Sequence, residues 1–80
     1  MEIKSIYSLI TTMTIAKPSM AEKVIQITQN YAQLRLGNGK VVTLRREKFK
    51  GVSQALVMRD NKTKKIIASG FKAITKELEK

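Results

Sequence analysis

From residue 23 onward, apolar and polar positions alternate in short runs: KVIQIT, YAQLRL, KVVTLRR, QALVMR and KKIIAS. A period of two in stretches rich in Val, Ile, Leu and Thr is the pattern of strands with one face against a core. Turn chemistry separates the runs at Gln29-Asn30, Gly37-Asn38-Gly39 and Asp60-Asn61-Lys62-Thr63, with a longer link around Lys50-Gly51-Val52-Ser53. Beyond Gly70 the period changes, and Phe71, Ile74 and Leu78 recur at helical spacing with Lys72, Lys76 and Glu79 turned outward.

The register of the first hairpin follows from its faces, because a shift of one residue exchanges the two sides of a strand. A two-residue loop would set Ala32 against Arg45 and Arg35 against Val42, mixing charge and apolar groups on both sides. A three-residue loop, a type I turn closed by a G1 bulge with Gly39 in the left-handed region, instead pairs Leu36 with Lys40, Leu34 with Val42 and Ala32 with Leu44. Tyr31, Gln33 and Arg35 then share the other face with Val41, Thr43 and Arg45. For the second hairpin, closure of Arg59 on Lys64 would bring Val57 to Ile66 and Ala55 to Ala68, with Leu56 and Ile67 on the opposite face. Both faces are then apolar and both need cover, one of them from the terminal helix.

Two earlier segments carry mixed signals. Ser19-Met-Ala-Glu22 has capping-box spacing, and Met20, Val24, Ile27 and Tyr31 could line a helix. Val24, Ile25, Ile27 and Thr28 are strand formers, however, and Pro18 fits a strand entry, so a strand is expected there. In residues 3–16, Ile3, Ile6, Tyr7 and Ile10 begin with helical spacing, whereas Leu9, Thr11, Met13 and Ile15 fall on one side of a strand. The second pattern favours a strand over 9–16.

These elements predict a mainly β protein: a single domain over residues 1–80, built as a small, strongly bent antiparallel sheet of five or six strands with a C-terminal helix. Short strands, a tight Asn-Gly turn and no long crossover are similar in architecture to small barrels of the SH3-like or OB type. Architecture of this kind does not fix function.

A chain of 80 residues with no Cys and no His has neither disulfides nor thiolate and imidazole metal ligands to support a small core. Packing, a partner or self-association through an edge strand must contribute instead, and a homodimer is one such arrangement. No apolar run approaches the roughly 18 residues that span a bilayer. Residues 5–16 have the length of a signal-peptide core ahead of Ser19 and Ala21. Three Thr within them, Lys17 beside the site, and an uncharged Met-Glu-Ile-Lys leader argue against processing. A cytoplasmic protein is expected.

Charge narrows the class of function. Residues 35–80 hold 13 of the 16 Lys and Arg but 4 of the 6 acids, which leaves +9 there and +1 in the first 34 residues. The total of +10 exceeds the magnitude of roughly 2 to 8 typical of small soluble domains, and a concentrated positive field favours polyanions. Arg35, Lys40, Arg45, Arg46, Lys48 and Lys50 surround the first hairpin in sequence, with Glu47 the acid among them. Arg59, Lys62, Lys64 and Lys65 form a second group beside Asp60. Such cations bind phosphates by releasing counterions, without reading sequence. A solvated basic surface that blunts edge strands is the plainer alternative. Tyr31, on the face of Gln33, Arg35, Thr43 and Arg45, is placed to stack a base, while Tyr7, Phe49 and Phe71 are expected in the core.

Catalysis has little to work with. The acids Glu2, Glu22, Glu47, Asp60, Glu77 and Glu79 are scattered, and general acid-base or metal-assisted chemistry needs them paired. Gly37-Asn38-Gly39-Lys40 joins strands and lacks the rest of any phosphate-binding glycine motif. Asn61-Lys62-Thr63 matches a glycosylation acceptor, a three-residue pattern common by chance. The expectation is a non-enzymatic nucleic-acid-binding module with weak sequence preference, for DNA or RNA, without cofactor or metal. The alternative is a small interaction module or inhibitor that docks on an acidic protein. A membrane role ranks last, because the cations lie on strands and turns and not along an amphipathic helix.

Overall fold

The computed structural model describes residues 5–79. Strands β1 (Val24–Thr28), β2 (Tyr31–Arg35), β3 (Val41–Phe49), β4 (Val52–Asp60) and β5 (Ile66–Ser69) form one antiparallel sheet in chain order. Helix α1 (Ile6–Ala16) and a 3-10 segment (Pro18–Lys23) precede the sheet, and helix α2 (Phe71–Glu79) follows it. The sheet has five strands, and β1 and β5 are its two edges. It is therefore open and not closed into a barrel.

Helix α1 replaces the strand expected over 9–16. Ile6, Leu9 and Ile10 are buried and Met13 packs beside them, a set spaced at helical intervals, whereas Thr11 and Ile15 of the strand pattern face solvent. Ser5 caps the helix by accepting a 3.0 Å hydrogen bond from the Ser8 N–H. The Thr11 and Thr14 hydroxyls donate to the carbonyls of Tyr7 and Ile10, so these strand formers are satisfied inside a helix. Lys17 ends it, as Pro18 disfavours helical backbone at the preceding residue. Ile3 and the Met1–Lys4 leader lie outside the described residues. The capping box at Ser19–Glu22 does not form; that segment makes a 3-10 helix without a side-chain cap, and Met20 enters the core. The strand expected after it is β1.

The first hairpin has the bulged register. Ala32 opposes Leu44, Leu34 opposes Val42, and Gly39 has φ +87°. The N–H of Leu36 donates to the Lys40 carbonyl at 2.8 Å, and that of Gly39 donates to the Leu36 carbonyl at 2.9 Å. The link between β3 and β4 is shorter than expected, with two residues, Lys50 and Gly51, between the paired Phe49 and Val52. Both have positive φ, 49° and 83°, the signature of a type I′ turn.

The second hairpin corrects the expected register. Arg59 opposes Ile66, Met58 opposes Ala68 and Val57 opposes Ser69, with a bulge between the first two pairs. The cause is Asp60, whose carboxylate accepts from the N–H groups of Lys62 and Thr63 at 2.8 and 3.1 Å and winds the chain into a longer loop. The Asp60 N–H then closes on the Lys65 carbonyl at 2.9 Å.

Paired residues share a face, so Ala32, Leu44, Met58 and Ala68 line one side of the sheet, and Leu34 and Val42 extend it. Both helices cover that side: Ile6, Leu9, Ile10, Met20, Ile74 and Leu78 join the strand residues in one core. The Lys23 ammonium donates to the Leu78 carbonyl at 2.7 Å and ties the end of α2 to the 3-10 segment. Phe71 and Tyr7 are not core residues, being 60% and 51% exposed, and Phe49 is half-buried. A helical side chain covers the turn before its own position, and before Phe71 that turn is the exit from β5. With both helices on one side, the other face of the sheet carries no helix.

Candidate nucleic-acid interface

The open face is set out by the same register. One row across the strands runs Thr28, Tyr31, Arg45, Val57, Ser69, and the next runs Gln26, Gln33, Thr43, Arg59. Tyr31 is half-buried, and the Arg45 guanidinium lies over its ring at 5.8 Å from the centroid. Arg59 reaches along the face to Glu47, with its Nε 2.9 Å from Oε2 and its Nη2 2.7 Å from Oε1, and its Nη1 donates to the Lys64 carbonyl. Arg59 opposes Thr43, four residues before Glu47 on β3, so the ion pair spans the position of Val57 between them. That accounts for the full burial of Val57 on a face without a helix. The hydrogen bonds from Arg59 hold the Glu47 carboxyl below the usual carboxylate range, against a smaller opposing effect of burial.

At one end of the sheet the β2–β3 turn and the β4–β5 loop meet. The Asn61 N–H donates to the Val41 carbonyl at 3.0 Å, and the Lys40 ammonium lies 3.5 Å from the Asp60 carboxylate. The Thr63 and Lys62 N–H groups, with a smaller contribution from Lys40, push the Asp60 carboxyl down. Lys62, Lys64 and Lys65 are exposed on this loop, and Arg35 is exposed close by, opposite Val41.

At the other end β3 and β4 outrun their neighbours. β2 begins opposite Arg45 and β5 ends opposite Val57, and the Leu56 carbonyl still accepts from the Gly70 N–H at 2.9 Å, so residues 47–49 and 52–55 pair only with each other, with a bulge between the Glu47 and Phe49 pairs. They form a two-stranded ribbon that projects from the sheet by roughly 10 Å, at about 3.3 Å per residue. Lys48 and Lys50 are exposed on it, and the Lys50 ammonium stands 5.3 Å from the centre of the Phe49 ring. Arg46 lies on the helix side of the sheet, opposite Leu56, and its Nη1 donates to the Gln54 carbonyl at 3.2 Å.

The eleven residues singled out from the sequence therefore fall into three groups. Tyr31, Arg35, Arg45 and Arg59 share the open face; Lys40, Lys62, Lys64 and Lys65 stand at one end; Lys48 and Lys50 stand on the ribbon, with Arg46 at its base on the helix side. The sequence grouping of Arg46, Lys48 and Lys50 with Arg35 and Lys40 around the first hairpin is corrected, because β3 carries them to opposite ends of a strand roughly 30 Å long at the usual rise. Glu47 as the partner of Arg59, and the ribbon itself, were not legible from charge alone. The signal for the ribbon was present in Lys50-Gly51, a two-residue turn between runs longer than their neighbours.

Among the described residues, no cluster of three acids is placed to hold a metal ion. No described helix is long and apolar enough to cross a membrane. A hollow of about 320 Å³ between the 3-10 segment and the first hairpin is lined by Glu22, Lys23 and Arg35, and Lys23 is already engaged with the Leu78 carbonyl. Comparison with protein-family models, curated proteins and solved structures returns no match, so the function must be argued from these residues themselves.

Proposed function

We propose that the protein is a non-enzymatic nucleic-acid-binding module with weak sequence preference, which holds phosphates through the cations of its open face, its ribbon and the β4–β5 loop. The observation that carries this is the excess of cations over acids on those surfaces. Among the described residues, Glu47 and Asp60 engage Arg59 and Lys40 in ion pairs, while Lys48, Lys62, Lys64 and Lys65 form none. Each such cation can displace a condensed counterion from a phosphate backbone.

The alternative, docking on an acidic protein, uses the same charge but gains nothing from the sheet edges. β1 is interrupted by a bulge between Val24 and Gln26, and β5 has four residues; both features discourage strand addition, and with it an edge-to-edge homodimer. The two readings separate on nuclease-treated protein presented with single- and double-stranded DNA and RNA. Binding to one or more of these probes, with Arg45→Glu and Arg46→Glu weakening all sequences equally, supports the proposal. Binding to none of them, with a stoichiometric complex on one acidic protein that survives nuclease, replaces it with the alternative.

A further inference from the structure

Resting on that reading, we propose that the nucleic acid is double-helical DNA and that the β3–β4 ribbon is the element that enters its major groove. Shape is the first ground. The B-form major groove, about 12 Å wide and 8.5 Å deep, admits a two-stranded ribbon, and a projection of roughly 10 Å reaches its floor while the sheet stays outside. The RNA duplex offers a major groove too narrow for side chains, and the minor groove of DNA is about half as wide as the major. The type I′ turn at Lys50-Gly51 makes the tip a tight hairpin and not a loop that must be ordered on binding.

Chemistry is the second. Exposed Lys48 and Lys50 give the ribbon two cations for the phosphates that line the groove. Exposed Ser53 and Gln54 offer hydrogen-bonding groups toward base edges, and Val52, 54% exposed beside Phe49, offers an apolar tip suited to thymine methyls. The ribbon's acid, Glu47, already receives two hydrogen bonds from Arg59 and so adds no uncompensated negative charge.

The open face supplies the third ground, by what it lacks as a platform for single strands. Proteins of that kind stack successive bases on exposed rings. Here the rings are Tyr31, covered by the Arg45 guanidinium, and Phe49 on the ribbon, half-buried with the Lys50 ammonium beside it, so no two open rings stand in succession among the described residues of the face. Tyr7 and Phe71 lie on the helices.

The test uses the full chain, with salt-resolved fluorescence anisotropy on duplex DNA, duplex RNA and single-stranded DNA of one sequence. It is joined to dimethyl sulfate footprinting, which reports guanine N7 in the major groove. Two paired variants are compared: Lys48→Gln with Lys50→Asn on the ribbon, and Lys62→Gln with Lys64→Gln on the β4–β5 loop. All four side chains are exposed, and circular dichroism confirms that each variant folds. Duplex DNA should bind tightest, with N7 protected. The ribbon pair should flatten the salt slope by about 1.8 and weaken binding about 60-fold at 0.1 M salt, and the loop pair should cost no more than about 8-fold. Reactive N7 at saturation, or equal losses from the two pairs, would overturn groove entry by the ribbon while salt-dependent binding still upheld the broader reading. Absence of salt-dependent binding to every probe would remove both.

Discussion

Replacing Glu47 with Gln should move stability and polyanion affinity in opposite directions. The carboxylate takes hydrogen bonds from Nε and Nη2 of Arg59, and the pair lies along the face over Val57. A neutral amide keeps the shape, accepts fewer and weaker bonds, and raises the net charge from +10 to +11. With its ionic partner removed, the Arg59 guanidinium becomes available to a phosphate. One added contact is worth about 0.9 in the slope of log affinity against log salt, and so up to about 8-fold at 0.1 M salt. The folded state, meanwhile, loses the brace over Val57 and should melt at lower temperature. Anisotropy with a labelled random-sequence duplex across a salt series gives the first quantity, and thermal unfolding by circular dichroism gives the second. An unchanged or shallower slope in a folded variant would refute the idea that Glu47 holds Arg59 away from ligand. A higher melting temperature would refute the brace.

Val57→Ala should cost about 1 to 2 kcal/mol in urea unfolding, since two buried methyl groups are lost beneath the ion pair; a neutral result would mean that the face collapses over the gap. Lys50→Asn should stabilise by up to about 1 kcal/mol, because φ of 49° is costly for Lys and tolerated by Asn in a type I′ turn, and a lower urea midpoint would contradict that backbone argument. Glu47 and Asp60 both titrate lower in the folded chain than in the unfolded one, so their contribution is present above the unfolded values of about 4.3 and 3.9 and is lost as pH falls through the folded ones. Melting temperature should therefore fall below about pH 4, and the Glu47→Gln, Asp60→Asn variant should show a smaller decline; an equal decline would assign the acid sensitivity elsewhere.

The parts of the fold that local chemistry dictates were legible in the sequence. Gly39 and the alternation on either side of it admit one register that segregates apolar from polar residues, and β2 and β3 adopt it. A strand was expected over 9–16 because Leu9, Thr11, Met13 and Ile15 alternate, but the helical set Ile6, Leu9 and Ile10 is the one that the core buries, and its packing decides for α1. The β4–β5 register failed for a related reason: with apolar residues on both faces, alternation does not choose between registers, and the Asp60 carboxylate does. For the site, the sign of charge could be read from the chain but its grouping could not. Neighbours along β3 are carried to opposite ends of the sheet, while Lys40 and Asp60, twenty residues apart, meet.

The most direct test is the salt dependence of wild-type affinity for a random-sequence DNA duplex, measured on nuclease-treated protein. With about six phosphate contacts drawn from the face, the ribbon and the loop, log affinity should fall against log salt with a slope near −5. A slope near zero would mean that the cations do not meet a polyanion there, and nucleic-acid binding would no longer explain the charge of this protein.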